Sequence, residues 1–322
     1  VCSSDLESVT VWQVESATLV ADDVVSIVMT DATGADLPAW SPGAHVDVEL
    51  ASGITRQYSL CGDPADRKHY RIGVLKAPNS RGGSIAVHHE LVAGATATIV
   101  GPRNHFEFLP ANKYIFVAGG IGITSILTMV RAAEQAGASW TLLYGGRGLE
   151  SMAYTDELAQ YGERVTLLPG AAIEPMLEEL ESRLGTPQPD TLIYTCGPEG
   201  LLQTMEKMSQ VWPKGSLHLE RFTPKKVEEP AGGEREFDVV LARAGITVHV
   251  PANRSIFDAI QDAGISMMGS CKEGICGTCE TFVLEGTPDH RDSVLNDDEK
   301  ASNETMMVCV SRACTDQLVL DI

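Results

Sequence analysis

Nine residues near the C-terminal end, Cys271-Lys272-Glu273-Gly274-Ile275-Cys276-Gly277-Thr278-Cys279, hold three cysteines at C-x4-C-x2-C spacing, and 29 residues (280–308) separate them from Cys309. Thiolates spaced this way in a glycine-rich loop are the ligand pattern of a plant-type 2Fe–2S cluster, which carries one electron and does no substrate chemistry itself. Zinc is the competing ion. A structural zinc site favours two C-x2-C knuckles, and only Cys276 and Cys279 have that spacing here. Gly269, Gly274 and Gly277 let the loop close round an inorganic core and aim N–H groups at its sulfides. Cys314 is the alternative fourth ligand, but the apolar run Met306-Met307-Val308 leading into Cys309 favours Cys309.

A one-electron carrier needs a source of electrons. In Arg56-Gln57-Tyr58-Ser59-Leu60 a strand would put Arg56 and Tyr58 on one face and Gln57 and Ser59 on the other. An Arg for phosphate, a Tyr to stack and a Ser to donate a hydrogen bond suit a flavin, although an exposed strand face looks similar. Arg81-Gly82-Gly83-Ser84 opens a short helix whose N–H groups and Ser84 hydroxyl could face an anion; an ordinary glycine turn with a Ser cap is the plainer alternative. His88 and His89 lack partners at metal spacing and read as structural. Gly119-Gly120-Ile121-Gly122-Ile123-Thr124 does not match G-x-G-x-x-G, but it lies between a strand and a helix, where pyrophosphate is favoured. Cys196-Gly197-Pro198 ends another strand on the same sheet edge. With no His or other base near it in sequence, Cys196 reads as a thiol beside a nicotinamide pocket rather than a nucleophile.

The elements that must position these residues fall into three groups. Residues 7 to 110 carry short β-branched runs separated by turn signals, the pattern of a small antiparallel barrel. From 111 to 222 strands and helices alternate, which implies a doubly wound parallel sheet with its ligand at the strand C-termini. Residues 223–236, rich in Pro, Gly and charge, read as a linker. From 237 to 322 a hairpin turning at Arg243-Ala244-Gly245 and a helix at 256–263 precede the cysteine loop.

Composition narrows the function. The 322 residues suffice for two or three domains, with an ordinary 43% hydrophobic and 21% charged content. There is no run of 18 apolar residues and no secretion signal at the start, so a cytoplasmic protein outside the membrane is expected, its cysteines reduced. A net charge of −20 argues against nucleic acid and anionic membranes. Residues 237–322 carry 14 Asp and Glu against 6 Lys and Arg, a net of −8 that could steer a basic docking face. Val1-Cys2-Ser3-Ser4-Asp5-Leu6 resembles a translated sequencing adaptor and is excluded, Cys2 with it, and the natural start is expected to be missing or replaced.

In this order, Arg56-x-Tyr58-Ser59, Arg81-Gly82-Gly83-Ser84, Gly119-Gly120-Ile121-Gly122, Cys196-Gly197-Pro198 and the cysteine loop resemble the phthalate dioxygenase reductase family over residues 7–322. These are the class IA reductases of Rieske oxygenases, vanillate O-demethylase reductases among them. Asp289–Leu295 and Cys309–Ala313 also look like that family's ferredoxin domain. The resemblance implies a flavin barrel (7–110), a nucleotide domain like that of ferredoxin–NADP reductase (111–222), the linker (223–236) and a C-terminal α+β β-grasp ferredoxin domain (237–322). It implies FMN rather than FAD, NADH rather than NADPH, and a Rieske-type terminal oxygenase as electron acceptor for a monomeric reductase.

By the same resemblance Arg56, Tyr58 and Ser59 hold the flavin, with Ser59 near its N5, and Gly82, Gly83 and Ser84 hold its phosphate beside Arg81. Gly119, Gly120, Gly122, Thr124, Cys196, Gly197 and Pro198 line the nucleotide crevice, and Arg147 serves its adenine ribose side. Glu220 and Phe222 match the family's end of the nucleotide domain, where an aromatic ring lies against the isoalloxazine. Three other functions remain open: the reductase portion of a self-sufficient haem-thiolate monooxygenase, a zinc-stabilised binding module with a degenerate nucleotide fold, and diaphorase activity without a dedicated oxygenase.

Overall fold

The computed structural model describes residues 9–77, 82–170, 174–225 and 233–322, so Arg81, the adaptor-like start and the middle of the expected linker lie outside it. The chain divides into two compact units, one ending at Glu220 and the other beginning at Arg221.

In the first unit, β1 (Val9–Ala21), β2 (Val24–Asp31), β3 (His45–Glu49), β4 (Thr55–Ser59), β5 (Tyr70–Leu75) and β6 (Thr96–Arg103) form an antiparallel sheet ordered β4-β3-β6-β1-β2-β5. An isolated bridge between Leu60 and Ile72 joins its two edges into a barrel. Alternation along β1 puts Trp12 and Val14 inside and Val11, Gln13 and Glu15 outside. Its register shifts at Val14/Ser16 and Leu19/Ala21 bend it so that one strand pairs with both β6 and β2, which is why it outruns its short sequence pattern. Trp12, Ile27, Met29, Val46, Val48, Leu60, Ile72 and Ile99 fill the barrel. The helix α1 (Gly83–Glu90) crosses between β5 and β6, and His88 spends its ring nitrogen on the Val74 carbonyl at 2.9 Å, a structural role.

The rest of this unit is a parallel sheet of β7 (Lys113–Gly119), β8 (Ser139–Gly146), β9 (Val165–Pro169), β10 (Thr191–Cys196) and β11 (Leu217–Glu220), ordered β11-β10-β7-β8-β9. The chain runs outward from β7 to β9 and then returns to the other side of β7. The crevice between the ends of β7 and β10 is therefore the topological switch point at which such sheets bind ligands. Helices α2 (Ile123–Gln135), α3 (Thr155–Ala159), α4 (Glu174–Leu184) and α5 (Glu199–Met208) connect the strands. β7 is buried from Tyr114 to Gly119 because helices cover both its faces. α2 is buried on every side from Ile123 to Val130, polar Thr124, Ser125 and Thr128 included, because the barrel closes over the face turned away from the sheet. A Cβ at Gly73 of β5 would meet Tyr154 Oη at 2.6 Å and Thr124 Cγ2 at 2.8 Å, so only glycine permits this approach. Glu157 adds a tie, pairing with Arg71 of the barrel and Arg131 of α2.

In the second unit, β12 (Phe237–Leu241), β13 (Ile246–Val250), β14 (Glu280–Glu285), β16 (Thr305–Met307) and β18 (Gln317–Leu320) form a mixed sheet ordered β13-β12-β18-β14-β16, with only β12 and β18 parallel. A small ladder pairs β15 (Pro288–Asp289) with β17 (Arg312–Ala313). α6 (Ile256–Asp262) packs Ile256, Phe257 and Ile260 on the sheet, and α7 (Asp297–Ser302) is capped by Asn296. This is a β-grasp arrangement. Arg312, 6% exposed, donates to the carbonyls of Arg235, Pro251 and Arg254 and pairs with Glu234 at 3.1 Å, which holds the start of this unit against its last strands.

Candidate functional site

The cysteine loop runs between α6 and β14. Pairing of Glu280 with Met307 brings Cys279, at the head of β14, level with Cys309 just beyond β16. Cys276, Cys279 and Cys309 are buried and Cys271 is partly so. Cys271 interacts with the thiols of Cys276 and Cys309, and Cys309 with that of Cys279. The neighbouring Cys271 thiol, together with burial, pushes the Cys276 thiol well up. At Cys309, Cys271 favours ionisation, but Cys279 and burial outweigh it and push the thiol up to about 12. Thiols buried side by side ionise together only round a positive core. The N–H groups of Glu273 and Thr278 already point at Cys271 Sγ and Cys276 Sγ at 3.3 and 3.4 Å, as sulfur ligands of a cluster require. Lys272, Gly274 and Gly277 have positive φ and shape the loop, and a Cβ at Gly274 would meet Val310 Cγ2 at 2.5 Å and the Asp292 backbone at 3.1 Å. The thiol contacts run from Cys276 through Cys271 and Cys309 to Cys279, so the four line one cradle. Cys314 is exposed and directed at the Pro288 carbonyl, 3.6 Å away, so the alternative ligand is turned elsewhere.

The first unit gathers a second set of groups at the carboxyl edge of its parallel sheet. Ser59 ends β4, Ser125 stands in the first turn of α2, Cys196 ends β10 and Glu220 ends β11. Ser125 Oγ lies 3.0 Å from Ser59 Oγ, is hydrogen-bonded to Glu220 Oε2, and is 3.9 Å from Cys196 Sγ. Burial raises the Glu220 carboxyl to about 7 against the opposing hydrogen bonds of Ser125 and Ser59. Burial, with Glu220 beside it, pushes the Cys196 thiol well up, so Cys196 is no thiolate nucleophile. The glycine loop is pressed into the same place. A Cβ at Gly122 would lie 2.2 Å from the Cys196 carbonyl oxygen, and one at Gly119 would lie 2.6 Å from Pro198 Cδ. Gly119, Gly122, Cys196, Gly197 and Pro198 thus wall the switch-point crevice, with Gly120 at φ 52° beside them. Thr124 is turned away, its hydroxyl bonded to the Ile121 carbonyl at 2.9 Å and its methyl against Gly73.

On the barrel, the Arg56 guanidinium lies along the first turn of α1, where a Cβ at Gly83 would be 2.4 Å from Arg56 Nε. A cation laid against a helix N-terminus makes a site for an anion such as a phosphate. Ser84 Oγ accepts from the Ala77 N–H at 3.0 Å, which leaves its own proton to donate. Tyr58 pairs with Val46 on the side of the barrel core, and burial pushes its hydroxyl up to about 12. Ser59 pairs with His45 and Gln57 with Asp47 on the other side. His45 Nε2, Asp47 Oδ1 and Gln57 Nε2 are buried with no hydrogen-bond partner among the described residues. Burial, then Arg103 and His105, lower His45 to about 3, so its imidazole is neutral. These orphaned polar atoms beside Ser59 fit a polar, flat ligand such as a flavin better than an apolar one.

Not every expected residue joins these groups. Arg147 is exposed beyond β8. Phe222 belongs to the second unit and is exposed at 37%. Nothing local in the sequence singles out Ser125 or His45. Their only signal is polarity where the chain is otherwise buried.

Residues 239–314 match the family model of the 2Fe–2S iron–sulfur cluster binding domain. The chain is similar to phenoxybenzoate dioxygenase subunit beta of Ectopseudomonas oleovorans, at 41% identity over 303 residues and 94% of each chain. Among solved structures it is similar to phthalate dioxygenase reductase, 37% identical with a TM-score of 0.72 over 98% of both chains. It is also similar to an intact type IV self-sufficient cytochrome P450 monooxygenase, 43% identical with a TM-score of 0.90 over 98% of this chain and 41% of that one. It thus spans less than half of the P450 monooxygenase and nearly all of the other two.

Proposed function

Because the chain belongs to the phthalate dioxygenase reductase family, we propose that it moves electrons from NADH, through FMN and its 2Fe–2S cluster, to a Rieske-type terminal oxygenase acting on an aromatic compound. Members are NAD(P)H-dependent flavin and iron–sulfur oxidoreductases. A flavin takes two electrons as hydride and gives them up singly, and the cluster carries one at a time; that is the chemistry the groups supply when bound.

The observation that carries this reading is the meeting of Ser59, Cys196 and Glu220 at the switch-point crevice, in a chain that also holds a four-cysteine cradle. The first unit has the parts to orient two planar ligands face to face. Arg56, Gly83 and Ser84 would hold a flavin phosphate, and Ser59 would present its hydroxyl at the reacting edge. Gly119, Gly122, Gly197 and Pro198 would wall the place of a nicotinamide beside that edge, with Cys196 as a neutral thiol in the same wall. Cys271, Cys276, Cys279 and Cys309 would ligate the cluster. The acidic second unit, at −8 over residues 237–322, suits a partner with a basic face.

The test is to denature the purified protein, identify the released flavin, count iron, and compare NADH with NADPH in cytochrome reduction. One FMN, two irons and a preference for NADH are expected. Absence of flavin would sink the reading. A second reading, the reductase part of a self-sufficient P450 monooxygenase, is favoured by the similarity to that longer chain. A haem-domain reading frame continuous with Val1 in the source DNA would establish it.

A further inference from the structure

In the sheet of the second unit, alternate residues turn to the core shared with α6 and are buried: Phe237, Val239 and Leu241 of β12, Thr281 of β14, Leu318 and Leu320 of β18. The residues between them face outward, where a one-sided sheet is ordinarily polar. Here a line of that face is apolar. Val240 of β12 pairs with Val319 of β18, and Val319 pairs with Glu285 at the register shift that holds Leu284 of β14. Phe282, on the same side of β14, pairs with Thr305 of β16. Phe282 is 61% exposed and Leu284 53%. We propose that this face is the docking surface for the protein that accepts the electron, a partner whose own apolar patch is set in a basic rim. The inference rests on the electron-transfer reading above.

Charge selects the occupant. Glu280, Glu285 and Glu304 flank the apolar line and are exposed. Arg243 and His249, at the β12–β13 hairpin, are each held against a carboxylate: Arg243 Nε lies 2.7 Å from Asp321 Oδ1, and His249 Nδ1 lies 2.9 Å from Asp238 Oδ1. The net charge of −20 overall, with −8 in residues 237–322, leaves −12 on the rest of the chain. A field of this sign repels a second copy, an anionic membrane and the chain's own remaining residues, and it attracts a basic surface. Desolvation of Phe282 and Leu284 on contact would supply affinity, while the carboxylates supply encounter rate and orientation. The place suits electron transfer. Cys279 heads β14 and Phe282 follows three residues later, about 10 Å along the strand. Thr305, its partner on β16, leads toward Cys309.

The experiment gives NADH to the holoprotein with cytochrome c, a small basic haem protein, as the probe. Ferricyanide, a small anion that needs no docking surface, is the second acceptor. Four proteins are compared: wild type, the double variant Phe282→Thr/Leu284→Thr, Glu280→Lys, and Val211→Thr at an equally exposed apolar residue of the first unit. Threonine keeps the strand preference of β14. At low salt the KM for cytochrome c should rise about tenfold in the double variant at unchanged kcat. It should rise about threefold in Glu280→Lys, a rise that high salt removes, and stay the same in Val211→Thr. Ferricyanide reduction should be equal in all four. An unchanged KM for cytochrome c in the double variant overturns the proposal. So does a fall in kcat at unchanged KM, which would assign the face to a step inside the chain. A wild-type dimer in sedimentation that the double variant dissolves would seat a second copy there and overturn it too. If the double variant loses its iron, Phe282→Thr alone decides by the same KM. A wild type that reduces neither acceptor refutes the electron-transfer reading instead, a distinguishable failure.

Discussion

Replacing Gly122 by Ala adds one methyl at the switch point, and its effect can be worked from the structure. Gly122 has φ −59°, which any residue adopts, so the backbone itself is not strained by the change. Ala there would gain up to about 1 kcal/mol by restricting the unfolded chain. Against this, the new Cβ would sit 2.2, 2.5 and 2.9 Å from the carbonyl oxygen and carbon of Cys196 and the nitrogen of Gly197. All three are backbone atoms of the neighbouring strand end, so no side chain can swing aside. Overpacking of this kind costs about 1–3 kcal/mol, and the cost wins. The first unit should lose about 1–2 kcal/mol, or about 2–8 °C in its midpoint at its size. Because relief comes from parting β7 and β10, KM for the nucleotide should rise severalfold while bound flavin stays the same. Gly200→Ala is the control: nothing lies within 4 Å of its Cβ in the first turn of α5, so it should be neutral or stabilising. Calorimetry and steady-state diaphorase assays report both. A Gly122→Ala protein with wild-type midpoint and KM would refute both the tight contact and the placing of the nucleotide there.

Three further outcomes follow from the same geometry. Cys276→Ser should abolish electron output to cytochrome while sparing reduction of the flavin by NADH, whereas Cys314→Ser should keep its full iron content. Glu220 is raised in the folded chain, so the native state binds more protons than the unfolded one between its ordinary value and about 7; stability should fall as pH rises through that window. Glu220→Gln should remove that slope, at most about 1.4 kcal/mol per pH unit, in denaturant titrations run side by side. Arg312→Met leaves the carbonyls of Arg235, Pro251 and Arg254 without this donor, while Glu234 keeps Arg291, and should destabilise the second unit by about 2 kcal/mol, read from the loss of its iron–sulfur colour on heating.

What could be read in the sequence was whatever is encoded locally. The cysteine spacing is local, and so are the hairpin at Arg243–Gly245 and the helix expected at 256–263, found at Ile256–Asp262. The barrel and the α/β portion read as separate domains because their patterns differ, whereas in space they share one compact unit. The reason is α2, whose buried Thr124 and Ser125 look like ordinary helix polarity until β4 and β5 close over them. Thr124 was expected at the nucleotide and is instead spent on packing. Ser125 and His45 stayed invisible because their partners are 66 and 14 residues away in sequence, at Ser59 in both cases.

The two candidate centres are built by opposite strategies, and their chemistry gives a reason. The group set for hydride needs a donor, a carboxyl and a neutral wall fixed against two planar ligands, so each comes from the end of a different element: β4, β11 and β10, with α2 between them. Any parting of barrel and sheet would pull Ser59 from Ser125 and break the set, which accounts for the glycine at position 73 and the Arg71–Glu157–Arg131 tie. An electron can tunnel to a cluster without such contact, so the groups that hold it need only hold the metal. Of the four cysteines proposed for it, three lie in one loop and the fourth is one strand pairing away, all within residues 271–309 of the second unit. Precision is therefore concentrated where atoms must meet, and the one-electron centre is left self-contained.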